Sequence, residues 1–159
     1  MSEAVLRLTR RGIIGSLAAG LLAYRGYPVQ ANNGIQVHKD PNCTCCTGWV
    51  RHLRDAGFVV SAVETTDLQS VKTRLGVPAD LAACHTAEAD GYVLEGHVPA
   101  VAVRRLLTER PTATGLAVPG MPIGSPGMEG GAPKPYDVVL FGPDRRQTFM
   151  RFLGVNPIG

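Results

Sequence analysis

Ile35-Gln36-Val37-His38, then Asp40-Pro41-Asn42, then Cys43-Thr44-Cys45-Cys46-Thr47-Gly48-Trp49 is the stretch on which the fold turns. Its first four residues alternate as a short strand, and Asp40-Pro41-Asn42 reads as a turn. Residues 47–56 carry Val50, Leu53 and Ala56 at helical spacing, with Gly57 as the stop. Three cysteines therefore fall where a loop enters a helix, after the first strand.

Working outward, the Val-rich residues 58–65 predict a buried strand, and Asp67 is an N-cap for a helix over 68–75 that Gly76 and Pro78 end. After Cys84-His85-Thr86 a strand leads into the turn Ala89-Asp90-Gly91. Residues 92–97 return as its hairpin partner, and Pro99 opens a helix through Leu107. This order, βαβα followed by a hairpin and a helix, is the thioredoxin/glutaredoxin plan: an α/β fold with a thioredoxin-like βαβα-ββα core. Residues 111–135 are dense in Gly and Pro and include Met121 and Met128, so they predict a long ordered loop. An extra strand at 136–141 and a final amphipathic piece at 147–153 follow, with no internal repeat.

With 159 residues and 45% apolar content the chain has enough material for one hydrophobic core and does not need staples. Of its 16 basic and 13 acidic residues, Arg7, Arg10, Arg11, Arg25 and Glu3 lie in the first 31, which leaves the rest balanced. A neutral domain with few aromatics lacks the footprint of a nucleic-acid binder. The first 31 residues have the three-part plan of a signal peptide: basic over 1–11, apolar over 12–24, and Val29-Gln30-Ala31 before a cut after Ala31. The apolar run is about 13 residues, short of the roughly 20 that cross a bilayer, so no membrane anchor is expected once it is removed. Thr9-Arg10-Arg11-Gly12-Ile13-Ile14 resembles a twin-arginine export signal, the Sec route being the alternative. The mature domain is then residues 32–159, exported to the periplasm.

Unpaired N–H groups and the positive end of a helix dipole favour thiolate over thiol, and the thiolate is both nucleophile and metal ligand. Cys43 and Cys46 keep the two-residue separation of a redox dithiol. Cys45 is a third sulfur that disulfide exchange does not need. Three thiolates at one helix end can bridge soft ions, and together with thioethers they select Cu(I). Two alternatives stay open: disulfides, which four cysteines allow in three pairings, and a zinc site of four Cys.

Cys43-Thr44-Cys45-Cys46-Thr47-Gly48-Trp49, Ala83-Cys84-His85-Thr86-Ala87, Gly91-Tyr92-Val93-Leu94-Glu95-Gly96-His97-Val98-Pro99 and the Gly-rich run over 115–131 resemble the CopG-type copper-resistance family. The resemblance implies a periplasmic, thioredoxin-like protein of copper handling. It also implies a multinuclear copper–thiolate cluster on Cys43, Cys45, Cys46 and Cys84. Position supports Cys84 separately, because in thioredoxin-like domains the segment entering the third strand lies against the active-site loop.

Secondary ligand candidates are Met121 and Met128, if the 111–135 loop folds over the cysteines as a lid, with gap-filling as the plainer role. His85 adjoins Cys84, but neighbours on a strand face opposite ways, which assigns His85 an organising hydrogen bond; His97 is given a similar structural role. Trp49 is a core residue or a shield for the cluster, and Glu95 and Glu129 are acceptors around it or solvated charges. No Ser/His/Asp set, phosphate loop or carboxylate pair points to hydrolysis or phosphoryl transfer. The expected function is a binding protein that holds Cu(I) and serves copper resistance or trafficking, with other periplasmic copper-handling proteins as partners. The alternatives are a thiol–disulfide or copper oxidoreductase working through Cys43 and Cys46, and a structural zinc domain that recruits a partner.

Overall fold

The computed structural model describes residues 34–159; the expected export signal over 1–31, with its arginine pair and the cut after Ala31, lies outside the described residues. The elements are β1 (Gly34–Lys39), α1 (Thr44–Asp55), β2 (Val59–Glu64), α2 (Leu68–Arg74), a 3-10 turn (Ala79–Leu81), β3 (His85–Ala89), β4 (Tyr92–Gly96), α3 (Ala100–Glu109), β5 (Gly115–Val118), β6 (Pro135–Gly142), β7 (Arg145–Leu153) and β8 (Asn156–Pro157). One sheet joins all the strands in the order β2-β1-β3-β4-β5-β6-β7-β8.

β1 and β2 are parallel, which requires a crossover, and α1 is that crossover. β3 runs antiparallel to both β1 and β4, so the first half of the molecule has the expected βαβα-ββα order and directions. Gly57, at φ +89°, lets the chain leave α1 and turn into β2.

The two faces of the sheet are covered by different elements. Trp49, Val50 and Leu53 of α1 and Ala102, Val103 and Leu106 of α3 pack on Ile35, Val37, Leu94, Leu116, Val138 and Phe152. On the other face Leu81, Val93, Ala117 and Phe141 form a smaller cluster with Leu75 and Val77, beside α2. Adjacent residues Val93 and Leu94, or Leu116 and Ala117, thus enter opposite clusters, as strand alternation requires. Each fully buried large apolar side chain of this set contributes about 1.5–3 kcal/mol of transfer free energy.

Three expectations are corrected. Residues 58–65 are not a buried strand: β2 is the sheet edge, and Val59 is 71% exposed. A Val-rich run reports β-propensity but not place in the sheet. Residues 111–135 are not all loop, because Gly115-Leu116-Ala117-Val118 is β5, parallel to β4. Its four residues are too short to give a period and lie among glycines and prolines. The single extra strand becomes an antiparallel extension of β5 to β8, and the amphipathic piece at 147–153 lies within β7, paired with β6 across a bulge at Val138/Val139.

Candidate metal centre

The cysteine loop is built from the end of β1. Asn42 N donates to Asp40 Oδ1 at 2.8 Å, Cys43 N donates to the Asp40 carbonyl at 3.1 Å, and the buried Lys39 ammonium reaches the Asp40 and Pro41 carbonyls. This turn delivers Cys43 as the N-cap of α1, its Sγ accepting from Cys46 N at 3.3 Å. The helix begins three residues earlier than the apolar spacing shows, so Cys45 and Cys46 both lie in its first turn. Cys43 and Cys46 are joined as a disulfide, while Cys45 and Cys84 are free thiols.

Cys84 arrives from the other side, between the 3-10 turn and β3. Cys45 Sγ lies 3.4 Å from Cys43 Sγ and 3.8 Å from Cys84 Sγ. All four sulfurs fall within 4.8 Å of one another, so the structure gathers the four cysteines singled out from the sequence. Burial, with the Cys45 sulfur adding to it, pushes the Cys84 thiol up to about 12. Without metal Cys84 is therefore protonated at neutral pH, and a metal bound there must displace the proton.

Two histidines flank Cys84. His97 Nε2 is 3.0 Å and His85 Nδ1 is 3.3 Å from its Sγ, and both rings are fully buried. The alternation argument that aimed His85 away from the sulfur fails for a simple reason: β3 starts at His85, so Cys84 is not part of the strand. Burial holds both imidazoles below their usual range, and they stand neutral at neutral pH, the state in which a ring nitrogen can take a metal. Among the described residues His85 Nε2 and His97 Nδ1 have no hydrogen-bond partner in good geometry. His85 also packs on Trp49 at 4.3 Å between ring centroids. Trp49 itself is core, and its indole N–H donates to the Val98 carbonyl at 2.8 Å.

The Gly/Pro/Met-rich loop between β5 and β6 does fold onto α1. A Cβ on Gly127 would stand 2.4 Å from the Cys45 carbonyl oxygen, and one on Gly48 would stand 2.9 Å from Gly127 Cα. Only a glycine pair allows so close an approach. The loop is tied internally by Met128 N to Ser125 O at 2.8 Å, Ser125 Oγ to Pro122 O at 2.7 Å and Gly127 N to Glu129 Oε1 at 2.8 Å. Between loop and helix lies an open cavity of about 400 Å³ lined by Cys45, Arg51, Met128 and Glu129 among others. Met128 is thus brought to the cysteine side, whereas Met121 is 40% exposed and does not line this cavity.

Glu95, which the sequence leaves between an acceptor around the site and a solvated charge, is an acceptor. It is fully buried, and it accepts from Lys72 Nζ at 2.6 Å, Thr86 Oγ1 at 2.6 Å and the backbone N–H of Ala83 at 2.5 Å. Lys72, from an apparently solvated helix 23 positions away, carries no local signal of this pairing. His52 accepts from Ala100 N at 3.0 Å at the start of α3, and His38 meets Glu88 at 3.2 Å.

The donor set is sulfur-rich with neutral imidazole beside it, which suits a soft or borderline ion and not a hard one. Reduction of the disulfide would raise the free sulfurs from two to four.

Comparison with known proteins follows the same lines. Residues 81–128 match the family described as a protein of unknown function, DUF411. No curated protein gives a significant match. Among solved structures, one titled copper resistance protein CopG, form 1, is 44% identical and superposes with a TM-score of 0.71, covering 76% of this chain and 98% of its own. Its form 2 is likewise 44% identical, with a TM-score of 0.71, covering 75% of this chain and 97% of its own. With that identity sustained over nearly the full length of a solved relative, the chain belongs to the CopG copper-resistance family.

Proposed function

We propose that this protein is a periplasmic copper-binding protein that holds Cu(I) on Cys43, Cys45, Cys46 and Cys84 as thiolates and so contributes to copper resistance or trafficking. The observation that carries the reading is the convergence within 4.8 Å of four sulfurs, three from the start of α1 and one from the connection before β3. Its relatives' title as copper resistance proteins supports copper as the metal. His97 and His85 stand ready as nitrogen ligands on the Cys84 side, and Met128 as a thioether on the open side. Export by the twin-arginine route fits a cargo that folds before it crosses.

Anaerobic titration of the reduced protein beginning after Ala31, followed by native mass spectrometry, tests this. More than one Cu(I) per chain is expected, with a marked loss in Cys45→Ser. One Zn²⁺ retained in preference to copper would replace the reading with a structural zinc site.

A second reading is favoured by the Cys43–Cys46 disulfide itself. In it the two thiols give two electrons to two Cu(II), yielding two Cu(I), one disulfide and two protons. Stopped-flow mixing of reduced protein with Cu(II) would show disulfide formation matched to Cu(I) appearance, dependent on Cys43 and Cys46 but not on Cys45.

A further inference from the structure

The fourth sulfur is not held by the element that carries it. Cys84 lies on an irregular connection between the 3-10 turn and β3, where no ladder hydrogen bonds fix it. What surrounds it is a buried polar network reaching from α2 and β4. The Glu95 carboxylate on β4 takes the Ala83 N–H on one oxygen and the Thr86 hydroxyl on the other. These partners stand one residue before Cys84 and two after it. Lys72 Nζ closes the network, donating to Glu95 Oε1 at 2.6 Å and Thr86 Oγ1 at 2.8 Å.

A buried ion pair is a poor way to gain stability, since apolar residues of similar volume commonly do as well or better. Direction is what such a pair adds. The last residue of β4 and the one after it act on the same spot. Gly96, at φ +69°, brings the backbone so close that a Cβ there would lie 2.7 Å from Ala83 Cβ. His97 then places Nε2 3.0 Å from Cys84 Sγ. Glu95, Gly96 and His97 thus meet Ala83 and Cys84 in order.

We infer that Lys72, Glu95 and Thr86 form a positioning clamp, which sets Cys84 over the start of α1 and so completes the four-sulfur site. None of the three is among the side chains gathered around the sulfurs. The clamp rests on the copper reading for its purpose but not for its geometry, and the test separates the two.

The principal variant is the double substitution Lys72→Met with Glu95→Leu, which removes the network without stranding a buried charge. Circular dichroism should show it folded. In the metal-free, reduced protein, alkylation of Cys84 read by site-resolved mass spectrometry should become at least several-fold faster relative to Cys45. Lys72→Met with Glu95→Gln likewise strands no charge but keeps an acceptor for the Ala83 N–H, and it should retain most of the slow rate. Cu(I) affinity, by competition with a chelator, should fall about tenfold in the double variant, and adding Cys84→Ser to it should cost little more. Ala83→Pro removes the clamped N–H and sets its ring carbon against Glu95 Oε1, at a site whose preceding residue is already extended, and it should reproduce the effect if the double variant fails to fold. Unchanged Cys84 alkylation in folded double variant or in Ala83→Pro overturns the clamp, whatever copper does. A wild-type protein that binds no copper, with Cys84 alkylation still released by the variants, overturns the copper reading and keeps the clamp.

Discussion

Replacing Gly127 by Ala places one methyl group where the lid meets the cysteine helix. Gly127 has φ +89°, so an alanine there carries left-handed strain of about 1–2 kcal/mol. Its Cβ would also lie 2.4 Å from the Cys45 carbonyl oxygen and 2.9 Å from Trp49 N, both backbone atoms of α1 that cannot rotate away. Forcing a methyl into a packed contact adds about 1–3 kcal/mol. The total, roughly 2–5 kcal/mol, corresponds to a fall in Tm of at least about 6 °C for a domain of this size. Gly120→Ala is the control: its φ of +77° carries the same strain, but nothing lies within 4 Å of the added Cβ. Thermal unfolding of the disulfide-intact domain, with Cys45 alkylation as a local probe, makes the comparison. Gly127→Ala should be the more destabilised of the two and its Cys45 the more reactive. Equal Tm values and equal Cys45 rates in the two variants would refute the close packing of lid on helix.

Other outcomes follow from single contacts. Burial keeps Cys84 protonated up to about pH 12, whereas an unfolded thiol titrates near about 8.5. The folded pKa is the higher, so this group's contribution to stability is complete below about pH 8.5 and is lost as pH rises toward 12. Unfolding measured along that range should show the loss in wild type and a flatter profile in Cys84→Ser; parallel profiles would contradict the burial. Trp49→Phe leaves the Val98 carbonyl without the indole donor it has at 2.8 Å and should cost at least about 1 kcal/mol in denaturant unfolding. His97→Ala removes the nitrogen nearest Cys84 and should weaken Cu(I) binding more than His38→Ala, whose ring faces Glu88 instead.

How far the chain discloses its own fold depends on the range of the forces that place each part. The strand, turn and helix around Cys43-Thr44-Cys45-Cys46 are set by neighbours in sequence, so alternation, turn residues and a 3.6 period locate them. Cys84 could be brought to the same place by topology, because β3 lies antiparallel beside β1 and so begins near the loop that follows β1. The orientation of His85 could not, since it turns on whether the strand begins one residue sooner. β5 escaped for want of length, and the edge position of β2 is decided by the pairing of other strands. Lys72 and Glu95 meet across a helix and a strand, and only the packed structure turns two ordinary charges into one buried pair. The glycine contact of Gly48 with Gly127 is of the same kind.

The central claim is that copper is held by these sulfurs, and copper K-edge X-ray absorption on the reduced, anaerobically loaded protein tests it most directly. A first shell dominated by sulfur, in the Cu(I) state, losing sulfur when Cys84 is changed to Ser, is the expected result. A shell of nitrogen and oxygen alone, unchanged by serine at Cys45 or Cys84, would contradict it.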